Sequence, residues 1–164
     1  LKRPFHIEFG PVDGQMVEVR LFVDNRQLNT FDTTDWIPHL SSRIAETIRG
    51  LERTLNFREG ESTFLVDSVE SALDRLVSPS TEEDEDLYWK LCIFDWGPIT
   101  DDVLCFLIPI WGTLYLACRR LDDGKMIATR ILPIELIDEL REAQSRLALA
   151  CAQAERSQAG QAES

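Results

Sequence analysis

The reading turns on VLCFLIPIWGTLYLACRRLDDGKMIATRIL, residues 103–132. Val103 to Ile110 is nearly unbroken apolar, as a strand covered on both faces must be. Trp111-Gly112 interrupts it as a turn. Leu114, Leu116 and Cys118 then recur at every second position, the period of a strand with one buried face. Asp122-Asp123-Gly124-Lys125 supplies an Asp-Gly pair, which suits a tight primed hairpin turn, and Met126 to Leu132 returns as another strand. Upstream, Leu87 to Phe94 reads as a first strand, followed by the loop that begins at Asp95-Trp96-Gly97-Pro98. The expectation is a four-stranded antiparallel meander.

The N-terminal segment is also sheet-forming. Phe5, Ile7 and Phe9 share one face, and Val17, Val19, Leu21 and Val23 alternate cleanly. These make a hairpin about a turn cluster, Gly10-Pro11-Val12-Asp13-Gly14. Asp24-Asn25 gives the next turn, and Gln27 to Asn29 a short strand. Between hairpin and meander the period becomes helical. Ile37, Leu40, Ile44, Ile48, Leu51 and Leu55 define an amphipathic helix capped by Asp35, with Pro38 in its first turn and its end near Asn56. Phe64-Leu65-Val66 reads as a short strand. Asp67-Ser68-Val69-Glu70 then reads as a capping box opening a short helix with Val69, Leu73, Leu76 and Val77 on its apolar face. Pro133 opens a last helix, with Ile137, Leu140, Ala143, Leu147 and Ala150 on its buried stripe. The expected fold class is α+β: one antiparallel sheet, made of the N-terminal hairpin and the four-stranded meander, packed against about three helices. Residues 1–153 form one domain with a solvated acidic loop at 78–86, and residues 154–164 form a disordered tail.

The chain has 164 residues, and 17 Lys and Arg stand against 29 Asp and Glu, a net charge of −12. Nucleic-acid binders draw affinity from neutralising phosphates with Lys and Arg, so this balance argues against nucleic acid and against an anionic membrane surface. It is compatible with a basic protein partner, a cationic ligand or a metal. The charge is concentrated. Glu82, Glu83, Asp84, Glu85, Asp86, Asp95, Asp101 and Asp102 fall within 21 residues, opposed by Lys90 alone. Such a patch speeds encounter and discourages wrong partners. Tyr88, Trp89, Trp96 and Trp111 lie near it, and aromatic side chains beside charge anchor many interfaces. Trp89 shares an expected strand face with Leu91 and Ile93 and reads as buried. Trp96, in a loop, reads as exposed. The candidate partner-binding set is therefore Glu82, Glu83, Asp84, Glu85, Asp86, Trp96, Asp101 and Asp102.

No reaction is named by the sequence. The spacing of Asp95, Asp101 and Asp102 lacks the alternating ligands and closing Glu of a calcium loop. His6 and His39 sit in no nucleophile or zinc motif, and neither a phosphate-binding Gly-Lys loop nor a Ser elbow occurs. No catalytic residue, metal or cofactor is expected. Cys92, Cys105, Cys118 and Cys151 show no zinc spacing. The first three recur every 13 residues, as strand-to-strand positions do in a meander. They read as reduced core thiols, which points to a cytoplasmic protein, while a disulfide between neighbouring strands stays open.

A small acidic α+β chain without catalytic motifs, in which Val17-Glu18-Val19-Arg20-Leu21-Phe22-Val23-Asp24 leads into a helix, resembles the immunity proteins of bacterial polymorphic toxins. The later half, from Leu87-Tyr88-Trp89-Lys90 through Asp123-Gly124 to Pro133-Ile134-Glu135-Leu136, suits the same group. The resemblance covers layout and charge over residues 5–150. It implies a cytosolic stoichiometric inhibitor that binds a cognate toxin tightly and blocks its active site or assembly, many such effectors being basic nucleases. Two alternatives stand beside it: a chaperone for a secreted effector, and a small carboxylate- or metal-dependent hydrolase built on Asp95, Asp101 and Asp102. A second copy of the chain is a further candidate partner, through the last helix.

Overall fold

The computed structural model describes residues 3–53, 61–65 and 67–163. Strands β1 (Phe5–Asp13) and β2 (Met16–Val23) form the expected hairpin, and Val17, Val19, Leu21 and Val23 are wholly buried. The cluster at residues 10–14 is not all turn. β1 runs on to Asp13 through a bulge between Phe9 and Val12, and only Gly14 and Gln15 lie between the strands. Gly10 lets the Glu18 side chain lie close over the bulge, where a Cβ would stand 2.5 Å from its carboxylate and displace it. Pro11 also suits this place, since β1 is an edge strand and proline cannot donate to a further one.

The other side of β2 is shared. After a turn at Asp24 and Asn25, both left-handed, β3 (Arg26–Gln27) pairs with one end of β2. β4 (Thr34–Trp36) pairs with the other end. The gap between them is closed by a side chain. The Asn29 amide accepts from the Leu21 N–H and donates to the Val19 carbonyl, both at 2.9 Å, so it substitutes for a peptide group. Helix α1 (Ile37–Arg53) follows, burying Ile37, Leu40, Ile44, Ile48 and Leu51 as the period predicts. Its expected end near Asn56 lies outside the described residues. Asp35 belongs to β4 rather than standing directly before the helix. It accepts from the Trp36 N–H and from His39.

The middle of the chain departs further from expectation. Phe64 and Leu65 are in turns, not a strand, and Val66 lies outside the described residues. Helix α2 (Val69–Val77) is capped by Ser68, whose hydroxyl accepts from the Ser71 N–H, one residue later than expected. The stretch expected as an acidic loop and then a strand is a helix, α3 (Glu82–Leu91), and the first meander strand shrinks to β5 (Cys92–Ile93).

β5, β6 (Val103–Ile110), β7 (Thr113–Arg120) and β8 (Met126–Arg130) form the expected antiparallel meander in that order. It is a second four-stranded sheet, separate from the hairpin's. A 3-10 turn (Pro98–Thr100) precedes β6. Pro109 is tolerated because β5 reaches only Cys105 and Phe106, leaving no ladder beside Pro109 on that side. Helix α4 (Pro133–Ala162) starts at Pro133 and buries Leu136, Ile137, Leu140, Ala143 and Leu147. It continues to Ala162, so the stretch expected as a disordered tail is helical through Ala162, with its last ten residues mostly exposed.

The second sheet has a core on each face. One face, with Cys105, Leu107, Leu116, Cys118 and Ile127, packs against the first sheet, α1 and α4. The other, with Phe106, Ile108, Ile110 and Ala117, is covered by Leu73, Leu76, Leu87 and Leu91 of α2 and α3. This two-sided burial explains the continuous apolar run of β6. The fold class is α+β, as expected, with four α-helices among the described residues.

Candidate functional site

The acidic run is helical for local reasons. The Thr81 side chain accepts from the Asp84 N–H as an N-cap. Glu82, Glu83, Asp84 and Glu85 occupy the first turn, where carboxylates complement the helix dipole. Leu87 and Leu91, four apart, face the sheet with Asp84 one turn before Leu87.

Asp84 is therefore not a surface charge. It is 3% exposed and accepts from Arg75 at 3.0 Å. Arg75 also donates to Asp67 at 2.6 Å and to the Thr63 carbonyl, and it lies over the Phe64 ring. Burial alone would lower its pKa, but the hydrogen bonds and charges of Asp67 and Asp84 outweigh this and raise it. Arg75 thus ties α2 to α3 and to Thr63 and Asp67.

The remaining carboxylates of the run, Glu82, Glu83, Glu85 and Asp86, are exposed. Glu83 accepts from the Thr63 hydroxyl, and Asp86 pairs with Lys90 one turn along at 2.8 Å. Trp89 stands on the same outer side, one turn from Glu85 and Asp86. It is 77% exposed, and its ring meets Tyr88 edge-on at 5.1 Å. Tyr88 in turn packs edge-on against Phe106, which ties this aromatic pair to the sheet core.

The two tryptophans reverse their expected places. Trp96 is 1% exposed. It packs against Phe94, and its indole N–H donates to the Thr47 hydroxyl on α1 at 2.9 Å. It cannot meet a partner. The reversal follows from the element: period two put Trp89 on the face of Leu91 and Ile93, whereas in a helix it turns away from Leu87 and Leu91.

Asp101 and Asp102 sit where the chain approaches β6. Asp101 is exposed. Asp102 accepts from the Thr30 N–H at 3.2 Å, and its carbonyl accepts from Leu121. Arg120 donates to Asp122 and to the Thr30 hydroxyl in the same corner. These two carboxylates are tied to that corner rather than to α3. The expected set therefore divides into the α3 face, the Asp102 corner and two buried residues, Asp84 and Trp96.

Sequence reasoning also passed over Phe31, 84% exposed beside the Asp102 corner, and weighed Trp111 only as a neighbour of the charge. Trp111 is exposed on the β6–β7 turn in the left-handed region, which bulky side chains rarely occupy. The adjoining Gly112 N–H donates to Glu61 at 2.8 Å.

No family model, curated protein or solved structure matches the chain. What it can do is read from its own groups.

The nearest approach to a catalytic pair is Asp35 with His39. His39 Nδ1 lies 3.0 and 3.1 Å from the two Asp35 oxygens. The contact at Nε2 comes from Arg43, at 3.4 Å, rather than from a hydroxyl or thiol. The pair joins β4 to α1, with the ring lying against Gly97. Among the described residues, no three His, Cys, Asp or Glu side chains are grouped to hold a metal ion. No described helix is long and apolar enough to cross a membrane.

Proposed function

We propose that this chain is a non-enzymatic, acidic binding protein of the immunity kind. It neutralises a cognate bacterial toxin in the cytoplasm by tight protein–protein contact. The observation that carries this reading is the outer side of α3. Four exposed carboxylates, Glu82, Glu83, Glu85 and Asp86, precede an exposed Trp89, with Glu85 and Asp86 one turn before it, on a helix held from beneath by Arg75 and Asp84. An aromatic anchor beside a predominantly acidic face, offset only by Lys90, suits a partner with a basic rim around an apolar pocket. The net charge of −12 adds a long-range bias of the same sign. The Asp102 corner, with Phe31, is a second acidic surface with an exposed ring and lies outside the primary contact.

The test is co-expression with the product of the neighbouring gene in the native host. The reading expects that product to arrest growth alone, to be harmless beside this chain, and to co-purify with it at one to one. A neighbour that is harmless by itself, or toxicity that persists without complex formation, overturns it.

A further inference from the structure

We propose that Cys105 and Cys118 are a dithiol–disulfide couple that closes a covalent staple between β6 and β7. The two residues are directly opposed in the antiparallel register. The kind of pairing follows from neighbouring hydrogen bonds. Arg120 N–H donates to the Lys125 carbonyl and Ile131 N–H to the Leu114 carbonyl, so the even-numbered residues of β7 turn their backbone groups toward β8. Leu121 N–H donates to the Asp102 carbonyl, which sets the same alternation on the β6 side. Cys105 and Cys118 are thus a non-hydrogen-bonded pair. Such pairs hold their Cα atoms about 4.5 Å apart with side chains close together, within the span of roughly 4.4–6.8 Å that a disulfide tolerates.

Both side chains lie in the same buried core, between the two sheets and beside Leu107, Leu116 and Ile127. Neither of the other cysteines competes. Cys92 packs with the α2–α3 layer on the opposite face of the sheet, and Cys151 lies on α4.

The oxidant is a small disulfide of the glutathione type. One cysteine, as thiolate, attacks the oxidant's sulfur, forms a mixed disulfide and releases one reduced thiol. The second cysteine then attacks the protein-bound sulfur and releases the other reduced thiol. Two protein thiols and one disulfide become one protein disulfide and two small thiols, which carry off the two protons. Both cysteines are buried, at 2% and 0% exposure, so the exchange waits on opening of the hairpin and is slow. Burial first, then the neighbouring Cys118, push the Cys105 thiol well up, which keeps that thiol protonated and quiescent until the hairpin opens. Once closed, the bond fixes the hairpin whose turn carries Trp111.

The experiment uses the full chain with Cys92→Ser and Cys151→Ser, incubated with oxidised glutathione, against the same chain in urea. The expected native product is lighter by about 2 Da, has lost both thiols together, carries no retained glutathione, and reverts with dithiothreitol. Circular dichroism is unchanged on oxidation. An unchanged native protein beside an oxidised urea control overturns the proposal. So does a native product that stops at the glutathione adduct.

Discussion

The backbone N–H of Ile7 donates to the carboxylate of Glu139 at 2.9 Å, across 132 positions of sequence. Arg146 completes the contact by donating to the Ile7 carbonyl at 2.8 Å. Together the two α4 side chains offer the edge of β1 what a neighbouring strand would offer. Exposed edges of this kind template aggregation unless they are covered. Glu139 is 6% exposed, and its charge is balanced by Arg146 at 3.0 Å and Arg3 at 3.1 Å.

We predict that Glu139→Ala destabilises the fold by about 1–3 kcal/mol, because it leaves the buried Ile7 N–H without an acceptor. Glu139→Gln keeps an acceptor for Ile7 and loses only ion pairs to partly exposed arginines, so it costs less, about 0–1 kcal/mol. Urea denaturation of the three proteins measures this. Equal stability of the alanine variant and the parent would show that the edge does not need its cover.

Asn29 repairs the other side of the same sheet. Asn29→Leu leaves the Leu21 N–H and Val19 carbonyl without partners, and we predict a loss of about 2–5 kcal/mol from these two groups. Asn29→Asp keeps the acceptor, loses the donor and buries a charge. Its deficit should be largest at neutral pH and shrink in acid relative to the parent, as the carboxyl protonates. Identical pH profiles for Asn29→Asp and the parent would contradict the assignment.

The tryptophans separate core from surface. Trp96→Ala should cost about 3–5 kcal/mol, as large-to-small changes in a core do. Trp89→Ala should move stability by no more than about 0.5 kcal/mol. Thermal melts of the two variants decide it, and a reversal of the order would restore the strand reading of residues 87–94.

Cys92 gives a pH prediction. Burial first, then the charges of Cys105 and Asp95, raise its thiol to about 11. A folded value above the ordinary 9.0 means the native state holds the proton more tightly. Its contribution to stability is therefore full below pH 9 and is lost as pH rises toward 11. Iodoacetamide should label Cys92 at pH 8 roughly 100-fold more slowly than a thiol of ordinary pKa. Labelling of Cys92 at the ordinary rate would contradict the shift.

The legible and illegible parts of the chain differ in kind. Period two in Val17 to Val23 and the apolar run of Val103 to Ile110 record burial by neighbours that the whole sheet supplies, so they are visible locally. Asp123-Gly124 and Pro133 are local conformational constraints and are visible for the same reason. The acidic run misled because Leu87, Trp89, Leu91 and Ile93 fit an alternation, while Leu87 and Leu91 fit a helix equally well. Thr81 as N-cap and the first-turn carboxylates favour the helix locally, while the burial of Asp84 that goes with it is made favourable by Arg75, from a separate helix. Asn29 and Glu139 were invisible as structural residues, because each acts on a backbone group that its own neighbourhood does not reveal. The candidate set inherited these errors: Asp84 and Trp96, expected on the surface, are buried, and Trp89, expected in the core, is exposed.

The most direct test of the binding surface is the rate of association with the cognate toxin as salt is varied, comparing the parent with Glu82→Gln/Glu85→Gln/Asp86→Asn. The account predicts association slower by about 3–10-fold at low salt, converging with the parent as salt screens the field, with dissociation little changed. Trp89→Ala should instead hasten dissociation. Association rates that match the parent at every salt concentration would contradict the assignment of α3 as the docking face.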